Sequence, residues 1–313
     1  MKLIADNSNR KPGFTIVELL TVMSIIIILI GLLVPALNRV RRYAQQVKQK
    51  AQFHAISIAL DLFNAENEGY PDSNERDDLG VPYCGAMKLC EAMVGQDLRG
   101  FNPTSRFRRE GYPNLTPPPA LWVGMPYPPF NTCGGGLDPI CYADNIKSRK
   151  LYLQLENANA YQIRNIYALS VINSHNFDPN TFVLCDVYNR ITNQSTGKKI
   201  GMPILYYKAH PTNTQHAYNS NPVTSEQVNI YDSWDNQNLV DLGMPWTTAA
   251  HPMGSSGTTT SGAPADPRIF YDKTTNPNIP GGSWPYRQDS YILISAGFDG
   301  EYGTTDDDFN FGE

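Results

Sequence analysis

Hydrophobic and polar positions divide this chain into one very long helix and a loop-rich remainder. From Phe14 to Leu37 run 24 residues whose only charge is Glu18 and whose only strong helix breaker is Pro35. At the helical rise they span roughly 36 Å, enough to cross ~30 Å of hydrocarbon with some tilt. Beyond Pro35, apolar positions recur at Val40, Ala44, Val47, Ala51, Ala55, Ile58 and Leu62, a stripe down one helix face. Ile56, Ala59, Leu60 and Phe63 widen it, while Arg39, Arg41, Arg42, Lys48 and Lys50 fall mostly off it. Pro35 inside this pattern predicts a kink or a locally melted turn. Gly69 and Pro71 predict a stop near Asn67, with Gly69 as the C-cap. The element from Phe14 to Asn67 would be roughly 80 Å long. No single globule needs such a helix.

After the helix the pattern shortens. Cys84 to Val94 reads as a short helix with Met87, Leu89, Cys90 and Val94 on its apolar side. Arg99 to Cys141 is rich in Pro, Gly and aromatics and reads as ordered loop, because proline removes ladder donors. Strands are predicted at Thr181–Val187, Met202–Lys208 and Ser290–Ser295. His210 to Pro285 is mostly Asn, Thr, Ser, Gly and Pro and reads as insertion loops, with Ser255 to Pro267 expected to be mobile. The expected class is α+β: a long N-terminal helix packed on a small antiparallel sheet, with long Pro/Gly-rich loops.

Composition narrows the function classes. The net charge of −5 does not favour a nucleic-acid partner. The five histidines, His54, His175, His210, His216 and His251, are scattered and form no metal or nucleophile signature. No Gly-x-Ser-x-Gly, phosphate loop or HExxH occurs, so an enzyme is not expected. Five cysteines fit no metal template, since no CxxC pair is present.

The apolar segment admits three readings: a secretory signal peptide, a plain membrane anchor, or an assembly segment. A signal peptide has an apolar region of about 7–15 residues and a small-x-small cleavage site, and this run is longer. The stretch Gly13-Phe14-Thr15-Ile16-Val17-Glu18-Leu19-Leu20 resembles the processing site of type IV pilins and type II secretion pseudopilins. The resemblance implies that a prepilin peptidase cuts after Gly13 and methylates the new amine on Phe14. It also implies that Glu18 neutralises the amine of a neighbouring subunit. A carboxylate in a membrane helix costs roughly 2.5–3.5 kcal/mol, so a misplaced subunit would leave a charge unpaired. Glu18 snorkelling to the headgroups is the simpler alternative. Tyr70-Pro71 after the helix resembles the G-like major pseudopilins, and such a pilin-like fold is what the resemblance implies.

The last stretch carries chemistry. From Asp299 onward there are six acidic residues and no basic one, with Gly297, Gly300 and Gly303 allowing a tight path. Hard oxygens on such a loop suit Ca²⁺, which takes about 6–8 oxygen ligands. It is not an EF-hand, because Gly300 follows Asp299 directly. A solvated acidic tail is the alternative, against which Phe309 and Phe311 look like anchors. Ser295, Gly297, Asp299 and Gly300 resemble the start of the calcium loop of G-like pseudopilins. That resemblance implies Asp299, Asp306 and Asp308 as ligands, Asp307 as a substitute, and backbone carbonyls near Leu293 and Ser295.

Together these readings divide the chain into a leader (1–13), a transmembrane or filament-core helix (14–37), its amphipathic continuation (38–69) and an extracytoplasmic domain (70–313) ending in the acidic loop 295–313. The implied role is a subunit of a type II secretion pseudopilus. The alternatives are a type IV pilus subunit for adhesion or motility, or a membrane-anchored periplasmic binding domain. Implied partners are the prepilin peptidase, other pilin-like subunits, the inner-membrane assembly platform with its ATPase, and membrane lipid before assembly. The implied place is the inner membrane, single-pass, N-terminus cytoplasmic and the domain periplasmic, then a periplasmic or surface filament. Counting positive charge points the other way: Lys2, Arg10 and Lys11 precede the segment, whereas Arg39, Arg41, Arg42, Lys48 and Lys50 follow it. In an oxidising periplasm, local bridges Cys84–Cys90 and Cys133–Cys141 are expected, with Cys185 as a buried thiol. The alternative is that all five are buried small hydrophobes.

Overall fold

The computed structural model describes residues 15–103, 105–109, 148–193 and 196–312. Gly13, Phe14, Cys133 and Cys141 therefore lie outside the described residues. The chain falls into two units, Met1–Gln45 and Gln46–Glu313. Helix α1 runs from Ile16 to Asn67. It passes through Pro35 as continuous helix, without the melted turn that the proline allowed.

In the first unit every described residue from Thr15 to Ala44 is exposed. An 18-residue window there has a mean hydropathy of 2.8, and none of it is buried. By length and composition this segment is a candidate membrane span.

In the second unit α1 has two apolar faces. The buried face is Gln49, Gln52, Phe53, Ile56, Ala59, Leu60 and Phe63. The stripe taken as the packing face is instead exposed: Val47 and Ile58 are 50% accessible and Leu62 is 47%. The residues expected only to widen that stripe are the ones that enter the core. Two glutamines help them. Gln52 Nε2 donates to the Cys185 carbonyl at 2.9 Å, and Gln49 Oε1 accepts the Val187 N–H at 3.1 Å. Each buried amide has a backbone partner on one side, which lowers the cost of burying it. The helix ends at Asn67, as predicted, but the left-handed residue beyond it is Glu68 (φ 56°), not Gly69.

Helix α2 (Gly85–Val94) is buried along its whole length, Lys88 and Glu91 included, so the expectation of one apolar side is corrected. Lys88 Nζ reaches Asp72 Oδ2 at 3.1 Å and the carbonyls of Asn74 and Arg76 at 2.8 and 3.1 Å. Glu91 accepts from the Tyr83 hydroxyl at 2.6 Å and from Gln96 at 2.9 Å.

Strands β1 (Ala160–Gln162) and β2 (Phe182–Leu184) form an antiparallel pair, as do β3 (Ile191–Thr192) and β4 (Lys199–Ile200). The third sheet has order β5-β6-β7, from Leu205–Lys208, Tyr291–Ser295 and Asp308–Phe309. It is antiparallel, with Tyr206 opposite Leu293 and Ser295 opposite Asp308. Successive strand side chains point to opposite faces. Tyr206, Tyr291 and Leu293 accordingly join Phe53, Ile56, Leu60 and Phe63 of α1 in one core. Tyr207, Ile292 and Ile294 join Tyr231, Phe270, Tyr271 and Tyr302 in a second core. Both faces of this sheet are buried, which is why β6 reads as a continuous apolar run. The class is thus α+β, a long helix with small antiparallel sheets.

The two cores explain why the Cys84–Cys90 bridge does not form. Both thiols are free and buried. Cys84 caps α2 and belongs to the core with Met87 and Tyr207, whereas Cys90 belongs to the core with Phe63 and Leu60. Six residues of helix separate Cα atoms by about 9 Å, beyond the ~7 Å that a disulfide spans. Cys185 is a free buried thiol, as expected.

Candidate functional site

Two places carry the residues singled out by the sequence. The first is the start of α1. Thr15 and Glu18 stand in the spacing of a capping box. The Glu18 N–H donates to Thr15 Oγ1 at 3.2 Å, and Glu18 Oε2 accepts from the Thr15 N–H at 2.9 Å and from its hydroxyl at 2.7 Å. Glu18 thus satisfies orphan donors at the first turn, a task that the hydroxyl and acid three residues apart could have revealed in the sequence. Its carboxylate is exposed on the helix.

The second place is the turn between β6 and β7. Gly297 (φ 65°) puts the chain into a left-handed path, and a Cβ there would lie 2.0 Å from the Asp306 carbonyl oxygen. This close approach sets Asp299 beside Asp306. The Asp299 N–H donates to Asp306 Oδ2 at 2.9 Å, and Thr304 Oγ1 donates to Asp306 Oδ1 at 2.7 Å. Glu301 N–H reaches Asp299 Oδ1 at 2.8 Å. Burial and the neighbouring Asp306 push Asp299 up to about 6. Burial acts to raise Asp306 too, but hydrogen bonds from Thr304 and Asp299 outweigh it and hold Asp306 below its usual value. The two carboxyls behave as one interacting acid pair, with the proton held on the Asp299 side.

The other expected ligands separate. Asp307 is buried; its Oδ2 accepts the Gly303 N–H at 2.9 Å and pairs with Lys273 Nζ at 3.3 Å. Burial pushes it up to about 7 against the pull of Lys273. Its Oδ1 is buried with no hydrogen-bond partner. Asp308 turns away and accepts from the Tyr188 hydroxyl. Leu293 gives its carbonyl to Asn310 N–H at 3.4 Å, and Ser295 puts its hydroxyl on Asp186 Oδ2 at 3.0 Å. Of the expected set, Asp299 and Asp306 come together, Asp307 offers one orphaned oxygen, and Asp308 Oδ2 and the Leu293 carbonyl are engaged elsewhere, as is the hydroxyl of Ser295, whose carbonyl was the expected ligand. Among the described residues no three carboxylates, imidazoles or thiols group tightly enough to hold a metal by themselves. A calcium ion does not require three, since carbonyls and water fill its shell. The Asp299–Asp306 pair therefore fits a hard cation in part, and the orphaned Asp307 oxygen is a further unclaimed acceptor on the same loop.

Comparison with known proteins returns two curated relatives. The type II secretion system core protein G of Escherichia coli (strain K12) is 32% identical over 105 residues, which is 34% of this chain and 63% of that protein. The protein of the same name from Aeromonas hydrophila is 35% identical over 66 residues, 21% of this chain and 46% of that protein. These relatives support assignment to the pseudopilin family. The matches span less than two thirds of either relative. No known family profile matches the chain, and no solved structure does either. Neither pseudopilin relative bears an enzyme's name.

Proposed function

We propose that this chain is a structural subunit of a type II secretion pseudopilus, held in the inner membrane by residues 14–37 with the domain on the periplasmic side. The observation that carries the reading is α1 itself. Its first part is apolar, long enough to span a bilayer and unburied, and its later part keeps an apolar face (Val47, Ile58, Leu62) outside the domain core. Neighbouring copies of the helix are the occupants such a face would suit. In this reading a prepilin peptidase cuts after Gly13 and methylates Phe14. Glu18 then exchanges its capping bonds to Thr15 for the free amine of an adjacent subunit. The assembly platform and its ATPase draw the subunit out of the lipid. A calcium ion at Asp299 and Asp306, its shell completed by carbonyls and water, belongs to the same reading and would relieve the acid pair.

The test is complementation of a strain lacking the gene. Wild type should restore export of secreted proteins, and Glu18→Ala should be cleaved to mature length yet fail to form filaments. Normal filament yield from Glu18→Ala would sink the assembly role. A mature-length chain from Gly13→Leu would undo the processing assignment. Loss of surface fibres with secretion intact would instead favour a type IV pilus subunit.

A further inference from the structure

The long middle region has no role in that reading, yet it meets the acidic loop at point after point. The Trp246 ring lies where a Cβ on Gly300 would come within 2.6 Å of it, and the Arg190 guanidinium sits 5.1 Å over that ring. His251 Nδ1 accepts the Tyr302 N–H at 3.2 Å, with the two rings 4.7 Å apart. The Met253 N–H donates to the Tyr302 carbonyl at 3.1 Å. Thr260 Oγ1 lies 3.0 and 2.9 Å from the two Glu301 carboxylate oxygens. Lys273, in the last turn of the helix Arg268–Thr274, donates to the Thr304 carbonyl, pairs with buried Asp307 and lies 5.8 Å over the Phe309 ring.

We propose that segment 243–274 is an intramolecular collar that closes the acidic loop 297–308 without an ion, with the Lys273 ammonium as its charged latch. An ammonium brings one positive charge and three donors to a place where carboxylate and carbonyl oxygens converge, which is part of what a hard cation would do. Lys273 takes one oxygen of Asp307 and leaves the other. The latch therefore acts on Asp307, while Asp306 is held by the Asp299 N–H and the Thr304 hydroxyl. His251 supports the collar from within: burial drives its pKa down to about 3, so it stays a neutral acceptor for the Tyr302 N–H. The collar stands independently of the calcium reading, because each contact is made by the chain alone.

Hydrogen exchange on the full chain in detergent tests this, read at residues 297–308 and, as a control for global unfolding, at β5. In chelator the wild-type loop should be protected. Lys273→Met should exchange there at least about tenfold faster, the ratio that a lost charge-assisted hydrogen bond supplies. Lys273→Arg should keep most of the protection. Millimolar calcium should restore protection to Lys273→Met more than it adds to wild type. An unprotected wild-type loop in chelator, or equal exchange in wild type and Lys273→Met, overturns the collar. No calcium effect in any protein would sink the calcium reading and leave the collar standing. If Lys273→Met loses protection throughout β5 as well, Thr260→Val decides. Faster exchange confined to 297–308 supports the collar, and unchanged exchange overturns it.

Discussion

Asp186, just after β2, ties the chain at Met202, ahead of β5, to Ser295 at the end of β6, and its replacement by asparagine isolates one buried charge. Its Oδ1 accepts the N–H of Tyr188 at 3.1 Å and of Met202 at 3.2 Å, and its Oδ2 accepts the Ser295 hydroxyl at 3.0 Å. Burial outweighs these bonds, with the charge of Asp308 adding to it, and the carboxyl is pushed up from 3.8 to about 7. A raised acid pKa means that the folded state binds the proton more tightly than the unfolded chain. Stability from this group is therefore lost as pH rises towards 7 and regained as it falls towards 4. At about 1.36 kcal/mol per pH unit, the interval from pH 5 to 7 is worth on the order of 2.7 kcal/mol. In Asp186→Asn the amide oxygen keeps both N–H bonds and the amide nitrogen faces Ser295, so little else changes. The variant should unfold close to wild type near pH 4, and its lead should widen by about 5–10 °C between pH 5 and pH 7 and then level off. The assay is thermal unfolding of the full chain in detergent across pH, read as the difference between the two proteins. The difference matters because His216 and His251, both driven to about 3 by burial, lose stability as pH falls below 6.5 and mask the sum. A difference that is constant across pH would refute the reasoning.

Three further outcomes are expected. Gly297→Ala should cost at least about 2 kcal/mol, since it adds a Cβ 2.0 Å from a carbonyl oxygen at φ 65°; an unchanged unfolding midpoint would show that the turn is not built this way. Cys84, Cys90 and Cys185 should all be alkylated after denaturation without reductant, and none should react in the native protein, because burial pushes the Cys84 thiol up to about 12 and raises the other two as well. A Cys84–Cys90 cross-linked peptide in the mass spectrum would contradict the two-core arrangement. Calcium at about 100 times its dissociation constant should stabilise the protein by roughly 2.7 kcal/mol, and Asp306→Ala should abolish the shift while leaving the Lys273 contacts in place. A shift that survives Asp306→Ala would move the ion elsewhere.

How much of this was legible in the sequence depends on whether a signal is local. The end of α1 at Asn67 and the positions of β2, β5 and β6 followed from periodicity and from Gly and Pro nearby. The face that α1 buries did not, because the helix carries two apolar faces and the deciding partners are remote. Gln49 and Gln52 enter the core only because Val187 and Cys185, more than a hundred residues away, supply a donor and an acceptor. A polar side chain gives no sign of that in its own neighbourhood. The same holds for Lys88 in a helix buried on all sides, and for the polar stretch 255–267. That stretch read as mobile but is pinned by bonds such as Ser255 N–H to Asp241 at 2.7 Å. At the acidic loop, the glycines signalled a tight path, and Gly297 supplies it by letting the Asp306 backbone approach; the pairing of Asp299 with Asp306 was not legible in their spacing. The parting of Asp307 and Asp308 was hidden in the register. β7 begins at Asp308, so neighbouring side chains leave on opposite sides, one to Lys273 and the other to Tyr188. Three consecutive aspartates look like one charge cluster in a sequence. Here two of them are claimed by donors from opposite sides of the strand, and the third, Asp306, is paired with Asp299.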